Sequence, residues 1–204
     1  MKCILISSKI TKDKFNTLNH VIENDWIKYF SKKKVKLLPI NINSFNFKDL
    51  SFFKPMAVII SGGNDIKKIN KSETNICRDK NDDFLYKYAL KKKIPTLAVC
   101  HGFHFIAQKL GAKVVKIKRH VRKNHTISLK GYHKDGKKIK VNSYHNYGIY
   151  NLPKIFNFSA YCSDGSIEFA EIKKNKTLCL MFHPERKNIS QREIDKIVFK
   201  HLKI

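Results

Sequence analysis

Four short apolar runs, Cys3–Ile6, Val35–Ile40, Met56–Ile60 and Thr96–Val99, are separated by stretches of helical periodicity. A strand that is apolar on both faces must be covered on both faces, and a parallel sheet sandwiched between helices does this. Strand–helix alternation of this kind specifies a parallel α/β architecture. Between the first two runs, Phe15, Leu18, Ile22, Trp26 and Phe30 recur at spacings of 3, 4, 4 and 4, which predicts one amphipathic helix. Further helices are expected over residues 79–92 and from residue 101 to Leu110.

After Leu110 the pattern changes. Val114–Ile117, Thr126–Leu129, Lys138–Val141, Phe158–Tyr161, Ile167–Ile172 and Leu178–Phe182 predict short strands, with turn signals at Asp135-Gly136 and Asp164-Gly165. Ser190 and Glu193 have capping-box spacing, and Ile194, Ile197, Val198 and Leu202 predict a C-terminal amphipathic helix. The expected fold is α/β: a mainly parallel central sheet flanked by helices, flavodoxin-like, with a small antiparallel portion in the second half. No repeat, linker or low-complexity tail interrupts the chain, so residues 1–204 are expected to form a single domain.

Lys+Arg is 42 and Asp+Glu is 16, a formal charge of +26. Such a balance invites a nucleic-acid or membrane-surface reading. Against it, only Arg78, Arg119, Arg122, Arg186 and Arg192 are arginines, and the lysines are spread along the chain. Recognition of phosphates and base edges favours the planar fork of Arg. Most of the charge is therefore expected to be a solvated Lys surface, and nucleic-acid binding is kept as a remote alternative. The five cysteines are an odd number without a C-x-x-C pair, which points to free thiols in a reducing compartment. No apolar stretch approaches the roughly 20 residues of a membrane span. A cytoplasmic protein without membrane contact is expected.

Cys100 stands where a predicted strand turns into a predicted helix, with Gly102 two residues on. That is the layout of a nucleophile elbow with sulfur in place of oxygen. A helix N-terminus favours the thiolate and offers N–H groups to an oxyanion. By itself V-C-x-G also fits a buried structural cysteine. His183-Pro184-Glu185 changes the balance. Positions i and i+2 of an extended segment point the same way, so Glu185 can hold one nitrogen of His183 and leave the other for a sulfur. Both segments would end at the same edge of a parallel sheet, where ligands bind. Gly62-Gly63, past a third strand, could bring a second backbone N–H to that edge.

Ser61-Gly62-Gly63-Asn64-Asp65, Val99-Cys100-His101-Gly102-Phe103-His104, Val141-Asn142-Ser143-Tyr144-His145 and Phe182-His183-Pro184-Glu185 together resemble the class I, triad-type glutamine amidotransferase superfamily. Within it, they resemble the γ-glutamyl hydrolase-like peptidases. The resemblance implies the class I glutamine amidotransferase fold and a Cys100, His183, Glu185 triad. It implies an oxyanion hole from Gly63 and the His101 amide, and a glutamyl pocket lined by Gly62, Asn64, His104, Ser143, Tyr144 and His145. The family often has Gln where this chain has His104, so glutamyl recognition is expected to differ in detail. A further likeness is to the bacterial γ-glutamyl-CDP-amidate hydrolases of capsule phosphoramidate synthesis, small Lys-rich stand-alone members. That likeness implies a cytidine diphosphate amidate as the leaving group, which composition and spacing do not show.

The densest basic stretch, residues 116–125, holds Lys118, Arg119 and Arg122. It is either a solvated loop or a clamp for an anionic leaving group. Cys100, His101, His104, His120, His125 and His145 raise the question of a metal, but no pair has zinc-finger or H-E-x-x-H spacing, and none is expected. No cofactor is expected either. His20, His133 and His201 are expected at the surface or in packing. The implied partner is a small γ-glutamyl substrate with an anionic leaving group, and a homodimer is left open. The alternative is a glutaminase subunit that passes ammonia to a separate synthetase.

Overall fold

The computed structural model describes residues 2–31, 33–132 and 137–204. The expected turn at Asp135-Gly136 and the expectation for His133 lie outside the described residues. The strands are β1 (Lys2–Ser7), β2 (Lys9–Lys12), β3 (Leu18–Val21), β4 (Val35–Ile40), β5 (Ala57–Ile60), β6 (Thr96–Val99), β7 (Val115–Lys116), β8 (Val121–Ser128), β9 (Lys138–Tyr144), β10 (Tyr147–Gly148), β11 (Phe158–Tyr161), β12 (Ile167–Ile172) and β13 (Thr177–Leu180). The helices are α1 (Asn24–Ser31), α2 (Phe47–Phe52), α3 (Glu73–Lys92), α4 (His101–Lys109) and α5 (Gln191–Leu202).

Seven strands form the central sheet in the order β11-β12-β13-β6-β5-β1-β4. From β13 to β4 every neighbouring pair is parallel, while β12 runs antiparallel to β13 and β11 antiparallel to β12. The mainly parallel sheet read from the apolar runs is present, and so is the antiparallel portion, including the separate β8–β9 hairpin. Alternate residues of each parallel strand feed opposite cores. Ile4, Ile6, Ile59, Leu97 and Val99 pack with Trp26, Phe30, Ile194 and Val198 on one face. Leu5, Val58, Ile60 and Ala98 pack with Leu85, Tyr86 and Phe103 on the other. Among the described residues, no helix is long and apolar enough to cross a membrane.

Two sequence expectations need correction. The helix expected from Phe15 to Phe30 is the β2–β3 hairpin followed by α1. Asp13 accepts from the N–H groups of Phe15 and Thr17, Asn16 takes a left-handed φ of 62°, and the resulting turn leaves Phe15 exposed. Only Trp26 and Phe30 keep the predicted helical burial. The capping box at Ser190 also does not form, because its hydroxyl accepts from Lys140 N and the Glu193 carboxylate pairs with Lys137. A reciprocal box appears instead at the start of α2, between Asn46 and Asp49.

Candidate active site

Cys100 joins β6 to α4 with φ 52° and ψ −101°. A non-glycine residue in this conformation is strained by contact of its Cβ with the backbone, and surrounding structure must impose it. Here Cys100 N donates to Leu180 O on β13 (2.8 Å), and α4 packs hard against β5. A Cβ added to Gly102 would stand 2.2 Å from Ile60 O, so only glycine permits that approach. Cys100 is partly exposed at the top of the sheet, as an elbow requires.

β13 lies beside β6 in parallel register, Leu180 opposite Val99, so the segment after it emerges at the same edge. His183 Nδ1 stands 2.6 Å from Glu185 Oε1, and both residues are buried. Burial alone would depress the His183 pKa. The Glu185 carboxylate and the Cys100 sulfur facing the ring outweigh it and raise the pKa to about 10. An imidazolium facing a sulfur is the pairing that reactive thiols use. Gly62 borders the same ring, since a Cβ there would meet His183 Cε1 at 2.6 Å.

Two asparagines hold this loop. Asn142 Oδ1 accepts from His183 N (2.8 Å), and Asn142 Nδ2 donates to His183 O (2.9 Å). Asn188 Nδ2 donates to the same carbonyl (2.9 Å), and its Oδ1 accepts from Asn142 N (2.8 Å). Asn142 lies within a motif read from the sequence, yet only its backbone-mimicking amide explains why it is there.

The 61–64 loop is held from below by a buried ionic cluster that sequence reasoning missed. The Arg78 guanidinium, fully buried on α3, donates to Ser61 O (2.6 Å), Ser7 Oγ (2.9 Å) and Ser8 O, and pairs with Asp82 at 2.8 Å. The His101 ring bridges two acceptors, its Nδ1 2.7 Å from Asn64 O and its Nε2 2.8 Å from Asp82. Burial would raise the Asp82 pKa, but Arg78 and His101 hold it below the usual carboxylate range. Gly63 sits above this cluster at φ 133°, which favours glycine, with the Lys9 side chain packed against it. A signal existed in the sequence: Arg78 and Asp82 are four apart on one helix face.

The remaining expected pocket residues separate. Tyr144 is partly exposed and meets the His183 ring edge-on at 5.9 Å, and the Arg186 guanidinium stands 4.8 Å from the Tyr144 ring centre. Asn64, His104, Ser143 and His145 spend their polar atoms inside the protein. The Asn64 amide bridges Ile10 N and O (both 2.8 Å), and the Ser143 hydroxyl donates to His120 O. His104 Nε2 lies 3.1 Å and His145 Nδ1 2.7 Å from Tyr147 O. Burial pushes the His104 pKa down to about 3, so the ring is neutral. Lys118, Arg119 and Arg122 are exposed, and among the described residues none forms an ion pair. Arg122 occupies the bulge beside the Val121↔Tyr144 pair, one strand from the His183 ring. His20 contacts Asn41 at the surface, and His201 packs its ring nitrogen on Thr96 O. His120 and His125, five residues apart, converge with the more distant His145 and Glu168.

Residues 12–203 match the family profile "Glutamine amidotransferase class-I". The chain is 28% identical over 184 residues to the γ-glutamyl-CDP-amidate hydrolase of Campylobacter jejuni, a match covering 88% of this chain and 87% of that one. It is 32% identical over 127 residues to the glutamine-hydrolysing GMP synthase of Wigglesworthia glossinidia brevipalpis, covering 52% of this chain and 23% of that one. In three dimensions it resembles a glutamine amidotransferase from Thermotoga maritima, with a TM-score of 0.64 at 16% identity, covering 99% of this chain and 82% of the other. At that identity the likeness carries the fold.

Proposed function

Because the chain belongs to the class-I glutamine amidotransferase family, whose members hydrolyse C–N bonds, we propose that it is a cysteine-dependent γ-glutamyl amide hydrolase. The observation that carries this reading is the left-handed Cys100 turn facing a His183 ring already paired with Glu185. In the proposed mechanism the Cys100 thiolate attacks the γ-carbonyl carbon. Backbone N–H groups of Gly63 and His101 bind the resulting oxyanion. His183 gives its proton to the leaving nitrogen as the C–N bond breaks, which leaves a γ-glutamyl thioester. Water, deprotonated by His183, then attacks the thioester and releases glutamate and the thiol. Glu185 keeps the ring oriented throughout.

Charge beside the candidate site supports a substrate class. Lys118, Arg119 and Arg122 are solvent-facing and lie around the strand that presents Tyr144 to His183. Unpaired guanidinium and ammonium groups there suit a phosphorylated leaving group. The match to a γ-glutamyl-CDP-amidate hydrolase along 87% of its length supports a cytidine diphosphate amidate as that group, and through it a role in capsule modification. Residues 1–204 act as one hydrolase domain in this reading.

The test is glutamate release from γ-glutamyl-CDP-amidate, simpler γ-glutamyl amides and free glutamine, by wild type and Cys100→Ala. Release from the nucleotide-linked substrate by wild type alone is the expected result. No release from any of them by wild type overturns the proposal. The partial match to a GMP synthase favours a second reading, a glutaminase that serves a separate synthetase. A co-purifying partner that raises turnover of free glutamine would select it.

A further inference from the structure

Behind the candidate active site, four side chains point into one buried space. They are His120 (just before β8), His125 (on β8), His145 (just after β9) and Glu168 (on β12), and their potential ligand atoms all lie within 4.8 Å of one another. His120, His145 and Glu168 are more than nine-tenths buried, with Glu168 fully so. His120 Nδ1, His125 Nε2, His145 Nε2 and both Glu168 carboxylate oxygens have no well-formed hydrogen bond. Orphaned buried polar atoms are rare, and five in one place demand a partner.

The hydrogen bonds on the far sides of the rings say what kind of partner. His145 Nδ1 faces the Tyr147 carbonyl at 2.7 Å, so that nitrogen carries the hydrogen. His120 Nε2 faces the Asp164 carboxylate at 2.8 Å and carries its hydrogen likewise. In the neutral rings, the inward nitrogens, His145 Nε2 and His120 Nδ1, are therefore lone pairs. They aim at Glu168 Oε1 from 3.3 and 3.5 Å. Two lone pairs against a carboxylate oxygen repel, unless a proton or a metal cation lies between them. Imidazoles that bind metal characteristically donate the outer N–H to a carbonyl or carboxylate, which fixes the tautomer. Ligand atoms around a tetrahedral zinc ion stand about 3.4 Å apart, and the two distances to Glu168 Oε1 already match that spacing.

We propose that His120 Nδ1, His125 Nε2, His145 Nε2 and the Glu168 carboxylate form a binding site for a divalent transition metal, zinc by the softness of its donors. With four protein ligands the site is structural. It ties the β8–β9 hairpin to β12 of the central sheet, and β9 carries the Asn142 that holds His183. A rival grouping of His120 with Cys162 and Asp164 is weaker, since Cys162 is already hydrogen-bonded to Asp164 (2.8 Å) and Ser166 (3.1 Å). The histidines were visible in the sequence, but their partner Glu168 was not read with them. The ligands lie on or beside three strands, β8, β9 and β12, so no zinc-finger spacing announces the site.

The test is metal analysis of the full chain purified without chelators from zinc-supplemented medium, for wild type, His125→Asn and Cys100→Ala. The expected result is one zinc per chain in wild type and Cys100→Ala, and loss in His125→Asn. Zinc returned to stripped protein should raise the melting temperature of the first two only. Should His125→Asn fail to fold, the stripped wild type is titrated with cobalt(II). Visible bands of tetrahedral cobalt without a thiolate charge-transfer band support the site. No cobalt bands, no melting shift, a thiolate band or zinc lost on Cys100→Ala each overturn it.

Discussion

At the scale of single residues, His183 couples stability to pH. Its pKa is raised from 6.5 to about 10, so its contribution is complete below 6.5 and is lost as pH rises through 10. The melting temperature of wild type should fall across that window by a few degrees more than that of His183→Gln, read by calorimetry. Gly102→Ala pushes a methyl group into Ile60 O, and backbone cannot step aside. We expect a loss of about 1–3 kcal/mol in urea unfolding, with glutamate release falling because α4 carries Cys100 with it. Cys100 itself holds a φ of 52° that glycine adopts freely. Cys100→Gly should be inactive yet melt above Cys100→Ala, and equal or lower melting would contradict strain at the elbow. Cys100, Gly102, His183 and Glu185 were all legible in the sequence because each needs a rare residue type at a fixed distance from a strand end. The true surroundings of His104 and Ser143 were not, because burial is decided by what packs above a side chain.

Among elements, α3 matters beyond its packing. Arg78→Met would leave the Asp82 carboxylate with the His101 ring alone and the carbonyls of Ser8 and Ser61 without the guanidinium donor. Removing one partner of a buried ion pair costs about 3–5 kcal/mol. Urea midpoints should register that loss. In variants still folded, glutamate release should fall as well, because the 61–64 loop rests on this guanidinium. The parallel strands were readable since a strand covered on both faces must be apolar throughout. The β2–β3 hairpin was not, because Phe15, Leu18 and Ile22 fall by chance on a helical period while Asp13 and Asn16 set a turn. Local turn chemistry prevailed over apolar spacing there.

For the molecule as a whole, the charge of +26 sets a self-repulsion that the fold must bear. Raising salt from about 0.01 M to about 1 M cuts the screening length from roughly 30 to 3 Å. The melting temperature at pH 7 should rise accordingly, and a flat response would mean the lysines are balanced by nearby acids. The sequence made this legible as a total but not as a pattern, since the ion pairs that relieve it, such as Lys12–Glu73 and Lys137–Glu193, join distant segments.

The seam between β6 and β13 has a consequence for the order of events at birth. Sulfur and imidazole lie just past strands that pair across it, yet most of the antiparallel half of the chain is synthesised between them. Cys100 leaves the ribosome long before His183 exists. Until that parallel pairing closes, the nascent thiol lacks the His183 ring, and on the proposed mechanism the growing polypeptide carries no working catalyst.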